Sequence, residues 1–572
     1  MAELDRRQFL GWSGAALAFA VAGPIDRSLR RTAARAVAIT GTTLESAATP
    51  VGASGYRRLA AGPGWPLVVR SDLAAGQSGR DNRRTALSAF VQFTDVHIVD
   101  AQSPTRFEYL HPQIGSSAFR PQETLNPLGA SALVRRVNGL SGGPFTGRPF
   151  DFLMTTGDNT DNHETVELDW YLTLLNGGTI TPNTGDPSRF EGVQNSGSTL
   201  FWNPESTIAD EYQKAGFPHL PGFLGNAIKS FTSLGLKLPW YATFGNHDDS
   251  VVGTLPDGIP LLEDMYTGNR KIEGFDAGTL SKLGNGFGDP AFLADLLAIL
   301  AGNAGLVRTV TPDVRRKPFS TAGFVQAHLN PANTGPGPVG HGFRAGNADG
   351  VDVYYTFPMA PGITGISLDT TTLGGFADGS IGVGQFEWLT NVLEANSSRY
   401  YDIFGFRHTH HVTDQLFVLF SHHTSGTMGN LLPDSRHPLE PRLPGSMFVS
   451  LLQRFPNVVA WVNGHTHANQ IIAHPHSDPT RSFWEINTAS HTDYPQHARL
   501  IEVADNHDGT LSVFTTLVEA DAPYQADYGD TSVAGMAALY RELAFNDIHA
   551  RAALMGTPAD HNTELLLTNP LG

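Results

Sequence analysis

Apolar and polar positions fall into two rhythms along the chain. Five short apolar runs, SAFVQFT (88–94), FDFLMTT (150–156), PWYATF (239–244), QLFVLF (415–420) and VVAWVN (458–463), read as buried strands. Longer stretches carry the helical rhythm: LADLLAILAGNAGL (293–306), GQFEWLTNVLEA (384–395) with Phe386, Leu389 and Leu393 on one face, and residues 533–554 as a C-terminal helix packing on the domain. Residues 498–520 form two alternating runs about Asp508-Gly509, which predicts a closing hairpin. Turn-rich stretches at 176–200 and 330–343 read as surface loops bordering a cleft.

Each of the five apolar runs leads directly into a short polar string. In order these are Asp95-Val96-His97, GDNTD at 157–161, GNHD at 245–248, SHH at 421–423 and GHTH at 464–467. A lone Asp-x-His says little in a chain this long, but five ordered strings behind five strands are a pattern. They put carboxylate, amide and imidazole donors at strand C-terminal ends, where the loops of open α/β sheets converge.

This order resembles the calcineurin-like metallophosphoesterase superfamily: Asp-x-His, Gly-Asp-x-x-Asp, Gly-Asn-His-Asp/Glu, a later His and Gly-His-x-His. The resemblance covers the ligand strands and leaves the segments between them unmatched. It implies an α/β four-layer α/β/β/α sandwich with long insertions, two mixed sheets face to face and helices outside. It further implies Asp95, His97 and His467 on one metal, Asn246, His422 and His465 on the other, and Asp158 bridging both. His247 would be a general acid that binds no metal, oriented by Asp161 as the partner of its imidazole. Purple acid phosphatases carry a Tyr in the Gly-Asp-x-x-Tyr string; here that position is Asp161, so no tyrosinate-to-iron colour is expected.

The chemistry fits these residue types. Two divalent ions about 3.5 to 4 Å apart need a shared anionic ligand, and a hydroxide held between them is nucleophilic at neutral pH because coordination lowers the pKa of water towards about 7. A leaving alkoxide then needs a proton, which an imidazole such as His247 can supply. With no cysteine in the chain, the donors are all nitrogen and oxygen, which suits Mn, Fe or Zn without choosing between them. The expected function is metal-dependent hydrolysis of a phosphoric mono- or diester. The alternative is a non-catalytic metal-bound surface or binding protein on the same fold.

Other histidines crowd the strings. SHH offers two imidazoles; His422 directly ends the strand, with His423 the alternative ligand. His408, His410 and His411 are read as loop or supporting histidines and Asp100 as a supporting group; His163, His491 and His497 near the strings are read as hydrogen-bonded surface histidines, the alternative being contact with a substrate phosphate.

A net charge of -17, with no basic run beyond the N-terminal arginines, argues against a nucleic-acid-binding surface. The ligand strings run from 95 to 467 and must converge, so one large domain at 89–523 is expected. Insertions fall at about 102–149, 163–237 and 250–350, because a bare strand-helix-strand unit needs only about 30 residues. An N-terminal extension (39–88) precedes this domain and a C-terminal helical tail (524–572) follows it. At the start, Arg6-Arg7-Gln8-Phe9-Leu10 runs into the apolar stretch 10–22, too short to span a membrane comfortably, and resembles a twin-arginine export signal within residues 1–38. A buried N-terminal helix is the competing reading. The export reading implies the twin-arginine machinery as a partner, an exported location and no stable membrane span after processing. It predicts that Arg6→Lys with Arg7→Lys leaves the protein in the cytoplasm with its activity intact in lysate. Fractionation checks this, and normal export of the double variant would refute it.

Overall fold

A computed structural model describes residues 40–114, 118–283, 290–302 and 305–571; the twin-arginine pattern lies outside the described residues. All five apolar runs are strands. Thr85–Phe93, Phe152–Thr156 and Trp240–Thr243 run parallel, side by side, at one end of a seven-stranded mixed sheet. Leu416–Phe420 and Val458–Asn463 run parallel at the centre of a six-stranded mixed sheet. Phe152–Thr156, Leu416–Phe420 and Val458–Asn463 are buried at every position, as unbroken apolar runs must be when both faces are covered.

The two sheets pack face to face through aromatic side chains. Phe420 of the second sheet meets Phe90 (5.6 Å) and Phe152 (6.3 Å) of the first, and Phe357 stacks on Tyr241 at 4.0 Å and meets Phe152 at 5.3 Å. The period of two along Leu416–Phe420 sorts its side chains between layers. Leu416, Val418 and Phe420 join the core shared with the first sheet, whereas Phe417 and Leu419 face a second cluster. Helices Val383–Ala395 and Gly445–Leu452 close that cluster with Leu389, Leu393, Phe448 and Leu451. On the outer side of the first sheet, helix Thr165–Asn176 bonds Tyr171 Oη to Thr155 Oγ1 at 2.9 Å, and helix Val533–Asn546 packs on helix Asn126–Gly139.

The predicted hairpin is present, Ala498–Asp505 with Thr510–Val518, its turn using Gly509 at φ 86°. The expected helix at 293–306 is shorter at its end: the helix is Pro290–Ala301, and Leu306 begins strand Leu306–Thr309. One expectation is corrected: residues 524–572 are not simply helical. They contribute strand Thr563–Thr568 to the seven-stranded sheet, where it lies between Thr510–Val518 and Val68–Arg70. Its run TELLLT is buried at five of six positions because the hairpin leaves an edge it can cover. No described helix is long and apolar enough to cross a membrane.

Phe357, on the edge strand Tyr355–Ala360 of the second sheet, is buried against Tyr241, Phe152 and Phe420. Phe357→Ala should destabilise the protein by about 3–5 kcal/mol, read as a shift of the denaturant midpoint at unchanged slope. A change below about 1 kcal/mol would contradict the packing described.

Candidate metal centre

The five strings meet at the edge where strands of both sheets end. Within the first sheet the loops bond to one another: Asp95 N donates to Gly157 O (3.1 Å) and His97 N to Asp158 O (2.9 Å). The Asp248 carboxylate accepts from Asn159 N (3.1 Å), Thr160 N (3.0 Å) and Gly245 N (3.0 Å), tying the second string to the third. Between sheets, His465 N donates to Asp95 Oδ1 (3.1 Å) and Gln92 Nε2 to Asn463 O (2.8 Å). Asp95, His97, Asp158, His465 and His467 all have φ between 45° and 70°. Left-handed backbone at a residue with a side chain costs roughly 1–3 kcal/mol and marks functional sites. Gly245 is required here, since a Cβ would run into the backbone nitrogen and carboxylate of Asp158.

The side chains form two clusters of acceptors sharing one oxygen. In the first, His97 Nε2 and His467 Nε2 face each other at 3.2 Å, with Asp95 Oδ1 3.3 Å from His467 Nε2 and Asp158 Oδ2 3.5 Å from His97 Nε2. Of the other ring nitrogens, His467 Nδ1 is hydrogen-bonded to Asp493 Oδ2 at 2.6 Å, and His97 Nδ1 stands 2.9 Å from Asp161 Oδ1 without hydrogen-bond geometry. In the second, His422 Nε2 lies 2.9 Å from Asn246 Oδ1, 3.2 Å from His465 Nδ1 and 3.2 Å from the same Asp158 Oδ2. His422 Nδ1 donates to Thr156 O (2.9 Å), and Asn246 Nδ2 to Gly253 O (2.9 Å), which aims its oxygen inward. Ring nitrogens of His97, His467, His422 and His465 thus converge with carboxylate and amide oxygens, and these acceptors repel unless a cation or proton lies between them. Donors bound at about 2.0–2.2 Å to one ion stand about 3–3.5 Å apart, which is the spacing found. The residues therefore fit divalent cations.

Protonation carries the same message. Burial alone would lower His422 and His467, but the facing carboxylates prevail and hold each at about 9. Burial would raise Asp158, yet the surrounding imidazoles keep it well below the usual carboxylate range. Protons thus occupy positions suited to cations, and metal loading at neutral pH should release them.

His422 and His423 stand with His465 in one group of possible ligands and differ in their partners. Both nitrogens of His423 are hydrogen-bonded, Nδ1 with Thr370 Oγ1 (2.8 Å) and Nε2 with Ala377 O (2.8 Å), whereas His422 presents Nε2 to the cluster. The expected pairing of the Asp161 carboxylate with His247 is corrected. His247 Nδ1 bonds instead to the Asp161 backbone carbonyl at 2.7 Å, because the carboxylate is held by Arg106 and lies against His97. Asp100 pairs with buried Arg316 and Thr184. His163 bonds Asp248 O, His491 approaches Asn126 O, and His497 bonds Asn469, while His408, His410 and His411 sit on or beside an exposed hairpin.

Sequence reasoning missed Asp493, Arg120 and Arg106. Asp493 fixes His467 and accepts from Arg120 Nε at 2.5 Å, and Arg106 joins Asp161 to Glu123. They stand in loops with no recognisable spacing; the one signal was the crowding of polar residues from His491 to Asp493. Arg106, Arg120, Asp161, His247 and Asp493 also line a cavity of about 500 Å³. Its remaining wall includes Leu110, Phe119, Val252 and Leu554.

No family model matches the sequence, and no curated protein matches it. Among solved structures the chain is similar to a dimetal phosphatase from Danio rerio, with TM-score 0.32 and 10% identity over 76% of this chain and 99% of that one.

Asp158→Asn should lower bound metal at both positions, His467→Ala mainly at one, and His423→Ala at neither. Elemental analysis of the purified variants checks this. Two full equivalents in Asp158→Asn, or a lost equivalent in His423→Ala, would overturn the assignment.

Proposed function

We propose that the protein hydrolyses phosphoric esters with a binuclear metal centre, outside the cytoplasmic membrane. The observation that carries the catalytic part is the shared oxygen of Asp158 between two acceptor clusters, with His247 beside them and a cavity opening on it. The export part rests on the Arg6-Arg7 pattern alone. Asp95, His97 and His467 would hold one divalent cation, Asn246, His422 and His465 the other, and Asp158 both; Mn, Fe or Zn suits these donors. When bound, the cations polarise a phosphoryl oxygen and acidify water.

The chain's own residues position and protonate. His247 contributes no atom to either cluster described above; its backbone N–H donates to Asp158 Oδ1 at 2.8 Å, so the imidazole is pinned to the bridge. Nδ1 is committed to the Asp161 carbonyl, which leaves Nε2 to pass a proton to the leaving oxygen. Burial pulls His247 down to about 4, against the opposing charge of Asp158. An anionic ester lying against the ring favours its protonated form, so protonation follows substrate binding. Arg120 places a buried guanidinium in the cavity wall, and Leu110, Phe119, Val252 and Leu554 offer apolar surface to the organic part of the ester.

The test is a hydrolysis panel of monoesters, diesters, nucleotides and phospholipid head groups on the metal-loaded protein. His247→Ala should keep both metals and lose about 10²- to 10⁴-fold in turnover, with an alkyl phosphate suffering more than a p-nitrophenyl ester whose leaving group needs little proton assistance. Equal losses on both would assign His247 to charge stabilisation, and lost metal would make it a ligand. A metal-loaded parent silent across the panel would favour the non-catalytic alternative.

A further inference from the structure

A hairpin stands outside both sheets, formed by Arg399–Tyr401 and Arg407–Thr409 with Tyr400 opposite His408. Its base is firmly rooted. Tyr400 stacks on Phe455 at 5.8 Å, and Tyr401 exchanges two hydrogen bonds with Arg454, from its N–H to the Arg454 carbonyl (2.9 Å) and from Arg454 Nε to its own carbonyl (2.8 Å). The tip, residues 402–406, carries Ile403, Phe404 and Phe406 at 72%, 73% and 68% exposure. Single exposed apolar residues are ordinary; three large ones on a five-residue turn are a concentrated patch.

The polar groups of this turn close on themselves. Asp402 Oδ1 accepts from Phe404 N and Phe406 N, both at 2.9 Å; Asp402 N donates to Phe406 O at 3.0 Å, and Gly405 N to Asp402 O at 3.1 Å. The remaining carboxylate oxygen faces His408 Nε2 at 3.1 Å. The amides of Asp402, Phe404, Gly405 and Phe406 are thereby bonded within the turn, which lowers the cost of taking the apex out of bulk water. Behind the apex the charge is positive. Arg399 and Arg407 enter no ion pair among the described residues, and His408, His410 and His411 are exposed beside them. Of the neighbouring acids, Glu394 pairs with Arg454 (3.6 Å), while Asp414, bonded to Ser398 and Asn457, and Asp478, bonded to the Tyr401 hydroxyl, keep their charge at the base of the hairpin, away from its apex. This cationic hairpin sits on a chain of net charge -17.

We propose that the hairpin docks the protein on an anionic lipid bilayer, with Ile403, Phe404 and Phe406 in the interfacial region and Arg399 and Arg407 against headgroup phosphates. A stable protein partner needs about 1,200 Å² or more of buried surface, beyond what a five-residue tip supplies. A bilayer accepts a small apolar apex, and its anionic headgroups complement the arginines behind it. Contact of this size is reversible, and the charge of the surface selects it.

The chain has no cysteine, so one introduced residue can be labelled uniquely in the full-length protein. Phe404→Cys carrying an environment-sensitive fluorophore should shift to shorter wavelength on vesicles of phosphatidylcholine with phosphatidylglycerol, and far less on phosphatidylcholine alone. The same label at Leu234→Cys, exposed on another loop, should not shift. Adding Arg399→Glu and Arg407→Glu to the Phe404→Cys chain should weaken the vesicle titration by about tenfold or more. No shift of the tip label on the anionic vesicles, or an equal shift at Leu234→Cys, overturns the proposal. A shift that tracks protein concentration without vesicles also overturns it, and makes the tip a contact between copies of the chain.

Discussion

One buried carboxylate organises this molecule. Asp158 is 2% exposed, and a charge in that position is costly unless hydrogen bonds and opposite charges surround it. Its Oδ2 lies between His97 of the first sheet and His422 of the second, its Oδ1 takes the His247 amide, and its backbone carbonyl takes the His97 amide. No single element provides those partners. The two sheets must meet with their strand ends in this register for the charge to be tolerated, and the same register assembles both donor clusters.

The surroundings hold that arrangement against its own strain. Five site residues with left-handed backbone would relax if their loops were free. Asp248 prevents this from beneath by gathering amides from two loops, and Arg106 and Arg120 do so from the side by fixing Asp161 and Asp493. These carboxylates in turn set the orientation of His97 and His467, so ring positions are determined before any cation arrives.

The sequence made the donor strands and the donors legible because each string directly follows a run whose burial on both faces leaves a continuous apolar signature. The pairing of His422 rather than His423 with the cluster was half legible: its place directly at the strand end favours the first, but only the Thr370 hydroxyl and the Ala377 carbonyl show how the second is occupied. The role of the Asp161 side chain was not legible, because it depends on Arg106, which lies 55 residues earlier in the chain. Asp493 was hidden for the same reason. The strand Thr563–Thr568 escaped notice because the helical rhythm upstream dominated the tail and its partner Val68–Arg70 lies near the other end of the sequence.

The strand order also has a temporal consequence. Thr85–Phe93, which delivers Asp95 and His97, is paired on one side by Ala498–Asp505, so its neighbour is synthesised about 400 residues later. A growing chain at ordinary rates of about 5–20 residues per second therefore spends tens of seconds with that strand edge unpaired. Contacts of such sequence separation also slow the search itself. The donor set is complete only once the GHTH string at 464–467 has been made, and until then the unpaired edge and apolar runs are exposed to chaperones.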